Sequence, residues 1–221
     1  MTPRDTAARW ALIGSILGGV SYIAAWGLHL PGPLELAWKG SGVGLLAAYA
    51  ALKARDRDGW LLTAVMTFGV LGDVLLNIQF IVGAVAFLIG HLVAVGLYLS
   101  NRRPALSRSQ TALALLLVPS AVFIAFMLPA DRAAAPGVAF YTLGLSLMAA
   151  TAWTSRFPRF TVGIGALLFL VSDLVIFARM GPLPDIFLTE LAVWVPYYGG
   201  QLLICVGVVA ALKASNLSSR P

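Results

Sequence analysis

Eight apolar runs, most of them near the ~20 residues that span a hydrocarbon core, occupy most of this chain and are separated by short polar loops. The first runs from about Trp10 to Leu30 and stops at Pro31-Gly32-Pro33. The second runs from Ala37 to Leu52 and is closed by the charged stretch from Lys53 to Asp58. The third, Trp60 to Ile78, turns tightly near Phe80 into the fourth, which ends at Ser100. The fifth runs from Thr111 to Leu128, the sixth from Gly137 to Thr154, the seventh from Phe160 to Ala178 and the eighth from Leu191 to Leu212. Only 11% of the residues are charged, against about 25% in a soluble domain. The expectation is an all-α integral membrane protein whose residues 1–221 form one transmembrane domain. No polar stretch is long enough for a second one.

Charge placement gives the topology. Twelve of the fifteen Lys and Arg residues fall on one side if the runs alternate: Arg4, Arg9, Lys53, Arg55, Arg57, Arg102, Arg103, Arg108, Arg156, Arg159, Lys213 and Arg220. The other side holds Lys39, Arg132 and Arg179. Because basic loops stay in the cytoplasm, this predicts eight spans with both termini inside, in a bacterial inner membrane. Arg4 and Arg9 before an apolar run resemble the start of a signal peptide, but the run is longer than a typical signal core, so it reads as an uncleaved first span. The net charge of +6 sits in loops rather than in a basic stripe interleaved with aromatics, which argues against nucleic acid. The single cysteine, Cys205, excludes an internal disulfide and a multi-cysteine metal site and reads as a small buried hydrophobe. Gly14 with Gly18, and Gly40 with Gly44, have the four-residue spacing that lets membrane helices approach closely.

Ionisable groups at membrane depth cost about 2.5–3.5 kcal/mol or more each, so they mark function by default. Asp73 lies well inside the third run, His91 midway along the fourth and Asp173 inside the seventh. The eighth carries Tyr197, Tyr198 and Gln201, and Lys39 stands near the outer end of the second. At 1.5 Å per residue, Asp73, His91, Asp173 and Gln201 fall in one slab, in the half of the membrane opposite the basic loops. Blander readings exist for each. Asp73 and His91 can be a structural interhelical pair, and the two aspartates can be proton-relay groups of a transporter. Tyr197 and Tyr198 can belong to an aromatic belt like Trp10, Trp26, Trp38, Trp60 and Trp153. Gln201 can be interhelical glue, Lys39 can snorkel, and His29, beside Pro31, fits the interface. The segments Leu71-Gly72-Asp73-Val74-Leu75 and Val171-Ser172-Asp173-Leu174-Val175 share one pattern, four runs apart, as a parallel duplication would leave.

These residues carry a resemblance. Leu71-Gly72-Asp73-Val74-Leu75-Leu76, Gly83 through Phe87 with His91, Gly165 through Phe169 with Ser172-Asp173, and Tyr197-Tyr198 with Gln201 together resemble the lysoplasmalogenase, or YhhN-like, family of membrane proteins. Lys39 sits where that family often has Lys-Pro, although Gly40 follows here. The resemblance implies hydrolysis of the vinyl ether bond of lysoplasmalogens, a lysophospholipid substrate and no cofactor. It implies Asp73, Asp173 and His91 as catalytic residues, with Lys39, Tyr197, Tyr198 and Gln201 holding substrate. The chemistry suits two carboxyl groups in different environments, one donating a proton and one stabilising a cation. A metal-dependent hydrolase fits less well, since it needs about three protein ligands and the chain has two histidines. An intramembrane aspartyl protease would need Gly-x-Gly-Asp, and Val70 stands at the first glycine. A proton-coupled transporter remains the main alternative outside enzymes.

Overall fold

A computed structural model describes residues 2–28 and 30–218, with side chains up to residue 215. His29 and Arg220 lie outside the described residues. The chain is all-helical, without strands among those residues. The helices are α1 (Pro3–Ser21), α2 (Gly32–Lys53), α3 (Arg57–Leu76), α4 (Phe80–Ser100), α5 (Arg108–Met127), α6 (Ala135–Thr154), α7 (Ile164–Arg179) and α8 (Phe187–Ser218). A 3₁₀ turn, Tyr22–Gly27, extends α1, and a π-helical turn, Arg159–Gly163, leads into α7.

Seven of these stretches are long and apolar enough to cross a membrane. The helix outside that set is α2, which carries Glu35, Lys39 and Lys53 among its apolar residues. The distribution of side chains supports a lipid-facing surface. Leu115, Leu116, Phe123, Phe140 and Phe160 are all more than 60% exposed, while Ser15, Thr142, Ser146, Ser172 and Gln201 are buried. In water such a surface would aggregate. In a bilayer it is the favoured arrangement, because polar groups must find partners inside the protein. The chain is therefore an integral multi-pass membrane protein.

The described residues form two compact units, Met1–Ala94 with Val208–Pro221, and Val95–Gly207. In the first, α1 packs on α2 and α2 on α3. Gly18 admits Ser41 of α2, Ser15 donates to the carbonyl of Gly42 at 2.6 Å, and Gly40 and Gly44 lie against Val70 of α3. Both glycine pairs thus serve helix packing. α1 starts seven residues earlier than the apolar run does. Thr2 caps it, Pro3 is at its first position, and Arg4 donates to the carbonyls of Ala51, Leu52 and Ala54 that end α2. Asp5 pairs with Lys53 at 2.7 Å. The N-terminal tail and the α2–α3 loop therefore share one end of this unit.

In the second unit α5 packs on α6 and α6 on α7. Arg156 donates to the Asn101 carboxamide at 3.0 Å and Arg103 to the Ser155 carbonyl at 2.7 Å, tying the α4–α5 loop to the α6–α7 loop. At the opposite end the backbone amide of Ala130 donates to the carbonyl of Met180 at 3.0 Å. Gly181 fits against the carbonyl of Leu128 with no room for a side chain. Inside each unit, loops assigned to the same side by charge counting are found together. α8 runs through Pro196, which cannot donate to the carbonyl of Ala192. One residue on, Ser172 of α7 donates to the carbonyl of Val193 at 2.8 Å, the kind of compensation that makes proline tolerable in a membrane helix.

Candidate functional site

In the first unit the α3–α4 hairpin is drawn together by glycines. Gly72 lies under the Phe87 ring, Gly83 against the backbone of Leu76, and Gly90 against Phe68. Only a residue without Cβ lets the two helices come this close. Asp73 follows Gly72 and His91 follows Gly90, so both groups stand beside this seam. Asp73 is 3% exposed and His91 4%. Phe87 stacks on the His91 imidazole, with ring centroids 6.4 Å apart and planes 17° apart. The Gly83, Phe87 and His91 spacing of four residues thus describes one helix face, and the same phenyl ring touches both Gly72 and His91. Asn77 donates from its carboxamide to the main-chain carbonyl of Asp73 at 2.7 Å, fixing the last turn of α3.

Tyr22 and Glu35, which have no place in the sequence motifs, lie in the same unit, as does Lys39. Tyr22, in the 3₁₀ turn after α1, is buried and donates weakly to Glu35 Oε1 at 3.5 Å. Lys39 is half-buried on α2 next to Gly40, whose neighbours are Val70 and Val74 of α3. Among the described residues Lys39 makes no ion pair.

In the second unit Asp173 is buried on α7 and accepts a hydrogen bond at Oδ2 from the Tyr141 hydroxyl of α6, at 2.7 Å. The Tyr141 ring packs edge-on against Phe177, one turn from Asp173, at 5.7 Å. The phenol is therefore held from two sides, and one carboxylate oxygen has a fixed donor. Ser172, the other half of the Ser-Asp pair, is spent on α8 through Val193. Tyr197 and Tyr198 are buried, at 5% exposure each, which removes them from any lipid-facing aromatic belt. Tyr197 packs edge-on against Phe169 at 5.1 Å, and Trp194 stacks on Tyr198 with planes 9° apart. Gln201, 2% exposed, follows Gly200, which meets Gly165 of α7 backbone to backbone. That contact sets the register of α8 on α7.

One unit thus holds Asp73, His91, Tyr22 and Glu35, and the other holds Asp173, hydrogen-bonded to Tyr141, with Tyr197, Tyr198 and Gln201 on α8. Tyr22, Glu35, Tyr141 and Trp194 escaped the sequence reading. For Tyr22 and Tyr141 a signal existed, since a phenol inside an apolar run needs a partner just as Tyr197 and Tyr198 do. Cys205 is fully buried, as a small hydrophobe would be. Among the described residues no three His, Cys, Asp or Glu side chains gather as metal ligands do.

Comparison with known proteins adds the family. Residues 34–208 match the YhhN family. Two curated relatives, each named lysoplasmalogenase, come from Mycobacterium bovis and Mycobacterium tuberculosis. Each is 31% identical to this chain, over 99% of its length and 90% of theirs. No solved structure matches it. The matched stretch runs from the beginning of α2 into α8 and contains every residue of both polar groups except Tyr22, and on that match the chain belongs to the YhhN family.

Proposed function

We propose that this protein is a membrane-embedded hydrolase that cleaves the vinyl ether bond of lysoplasmalogens. Its products are a fatty aldehyde and glycerophosphoethanolamine or glycerophosphocholine. The carrying observation is the presence of two buried aspartates, Asp73 and Asp173, in a chain related over its full length to proteins named lysoplasmalogenase. Seated in a bilayer, the protein meets a single-chain lipid where that lipid resides.

The reaction asks for little else. A proton is delivered to the outer carbon of the vinyl ether, and the former double-bond electrons form the new C–H bond. The adjacent carbon and the ether oxygen then share the positive charge of an oxocarbenium ion. Water adds to that carbon and loses a proton, giving a hemiacetal. Its collapse returns the C=O of the aldehyde and releases the glycerol oxygen as an alcohol, with the borrowed proton regained. One carboxylic acid can donate and one carboxylate can stabilise the cation and accept the water proton. We assign these two parts to Asp73 and Asp173. His91 orients Asp73 from the neighbouring helix, and Gln201 or Tyr198 positions the water or the ether oxygen. The Tyr141 hydroxyl holds Asp173 in place through Oδ2. Lys39 holds the polar head, and no cofactor is required.

Purified protein in detergent is expected to release long-chain aldehyde from 1-alkenyl lysophosphoethanolamine. It should turn over the single-chain substrate well ahead of the two-chain plasmalogen, because an intramembrane site formed among packed helices has room for one chain more readily than for two. Absence of aldehyde from the lysolipid would overturn the proposal, and equal turnover of both lipids would overturn the single-chain preference.

The proposal includes topology. Eight spans, α2 among them, with both termini in the cytoplasm of a bacterial cell follow from the charge alternation. A reporter fused after residue 221 is expected to be active only when it works in the cytoplasm. Activity confined to the opposite side would require seven spans or an inverted protein.

A further inference from the structure

The end of α1, the 3₁₀ turn after it and the start of α2 hold a set of groups that take no part in the bond cleavage itself. Glu35 lies in the first turn of α2, and Lys39 stands four residues later. Residues at this spacing are neighbours on a helix, about 5–6 Å apart at Cβ, and a Glu followed by a Lys is the favoured order for an ion pair. Here, among the described residues, the pair does not close. Glu35 is instead engaged by the Tyr22 hydroxyl. Tyr22 and Trp26 stand edge to face, with centroids 6.0 Å apart and planes at 88°, so the two rings form adjoining walls at a right angle. Trp38 fixes the same corner by donating from its indole nitrogen to Ser21 Oγ at 3.0 Å.

An opposite-charge pair held apart on one helix face, with the Tyr22 phenol on the carboxylate and the Trp26 ring packed against Tyr22, is complementary to a zwitterion. Alkylated ammonium groups favour aromatic faces together with a nearby anion. A phosphate diester favours a lysine ammonium as a point charge. The distances along the helices agree. Gly40 lies level with Val70 and Val74, the residues flanking Asp73 on α3, and Glu35 is five residues away, about 7 Å along α2. A lipid whose ether bond lies at the level of Asp73 would extend its headgroup along α2 toward Glu35, and the Lys39 side chain, tilted toward the N-terminus of α2 as helix side chains are, would meet the phosphate on the way. We infer that Glu35, Tyr22 and Trp26 bind the ammonium of a choline or ethanolamine headgroup while Lys39 binds its phosphate. The inference rests on the proposed lysolipid hydrolysis and names the part of the substrate that the site reads.

Three substrates with the same alkenyl chain separate the roles: one headed by phosphocholine, one by phosphate alone and one by bare glycerol. Glu35→Gln is expected to lower kcat/KM about tenfold for the phosphocholine lipid, chiefly through KM, and to leave the phosphate-headed lipid unchanged or improved. Lys39→Gln is expected to lower kcat/KM for both phosphorylated lipids and to spare the glycerol lipid. A change of tenfold corresponds to about 1.4 kcal/mol of binding. Equal losses across all headgroups, or no loss for any, would overturn the headgroup assignment while leaving the hydrolase reading intact. If the wild-type protein cleaves none of the three, the hydrolase reading fails, and binding decides the headgroup site separately. Hexadecylphosphocholine titrated into the protein in a maltoside detergent should then bind wild type about tenfold tighter than Glu35→Gln, and equal affinities would refute the site.

Discussion

Replacing either Asp73 or Asp173 with Asn is expected to remove nearly all aldehyde release while leaving an inserted, folded protein. Asparagine keeps the volume of the side chain but can neither donate the proton that starts vinyl ether cleavage nor balance the cation that follows. Loss of a general acid or base typically lowers rate about 10²–10⁴-fold. The surroundings favour folded variants at both positions. At position 173 the Tyr141 hydroxyl can donate to an amide oxygen as it does to Oδ2. At position 73 the bond from Asn77 goes to the main-chain carbonyl and is indifferent to the side chain. Unchanged thermal unfolding in detergent, together with lost turnover, is the expected pair of results. Near-normal turnover by a well-folded variant at either position would make that aspartate structural and end the paired mechanism. Because the first step consumes a proton donor, wild-type activity should fall toward high pH, where the donor is deprotonated.

What could be read from the sequence depended on how far apart the cooperating residues lie in the chain. Seven apolar helices were legible because a bilayer imposes a length. Glu35 and Lys39 keep α2 out of that set, and its reading as an eighth span rests on the alternation of the basic loops. Helix starts were less legible. α1 begins at Pro3 because Thr2 caps it and Arg4 reaches the end of α2, and the second of these is a contact across 48 residues. Membrane depth singled out Asp73, His91, Asp173 and Gln201 correctly as buried groups. The partners of those groups were not legible. Tyr141 is one phenol in an apolar run until α6 packs on α7 and brings it to Asp173. Tyr197 and Tyr198 were equally compatible with a lipid-facing belt, and only the packing of Phe169 and Trp194 around them decides for the interior.

Gly200→Ala is expected to cost about 1–3 kcal/mol of stability and about 100-fold in activity, whereas Gly199→Ala should change neither. A single methyl group separates the two outcomes because of where it would go. A Cβ at Gly200 would come to 2.6 Å from the carbonyl oxygen of Gly165 and 3.2 Å from the amide nitrogen of Phe169. A Cβ at Gly165 would in turn stand 2.7 Å from the carbonyl oxygen of Gly200. The obstructing atoms are backbone, so no rotamer change relieves the contact, and α7 and α8 must separate. A Cβ at Gly199 meets nothing within 4 Å. Separation matters to chemistry because α7 carries Asp173 and α8 carries Gln201, the residue after Gly200. A displacement of about 1 Å in a reacting group can cost about 10² in rate even when the change lies away from the reaction. In a membrane the driving force between helices is close packing rather than exclusion of water, so little else compensates for a lost contact. Thermal unfolding and aldehyde release measured side by side on the two alanine variants provide the check. If Gly200→Ala matches Gly199→Ala in both, the glycine contact does not set the position of α8, and Gln201 must owe its place to another part of the helix.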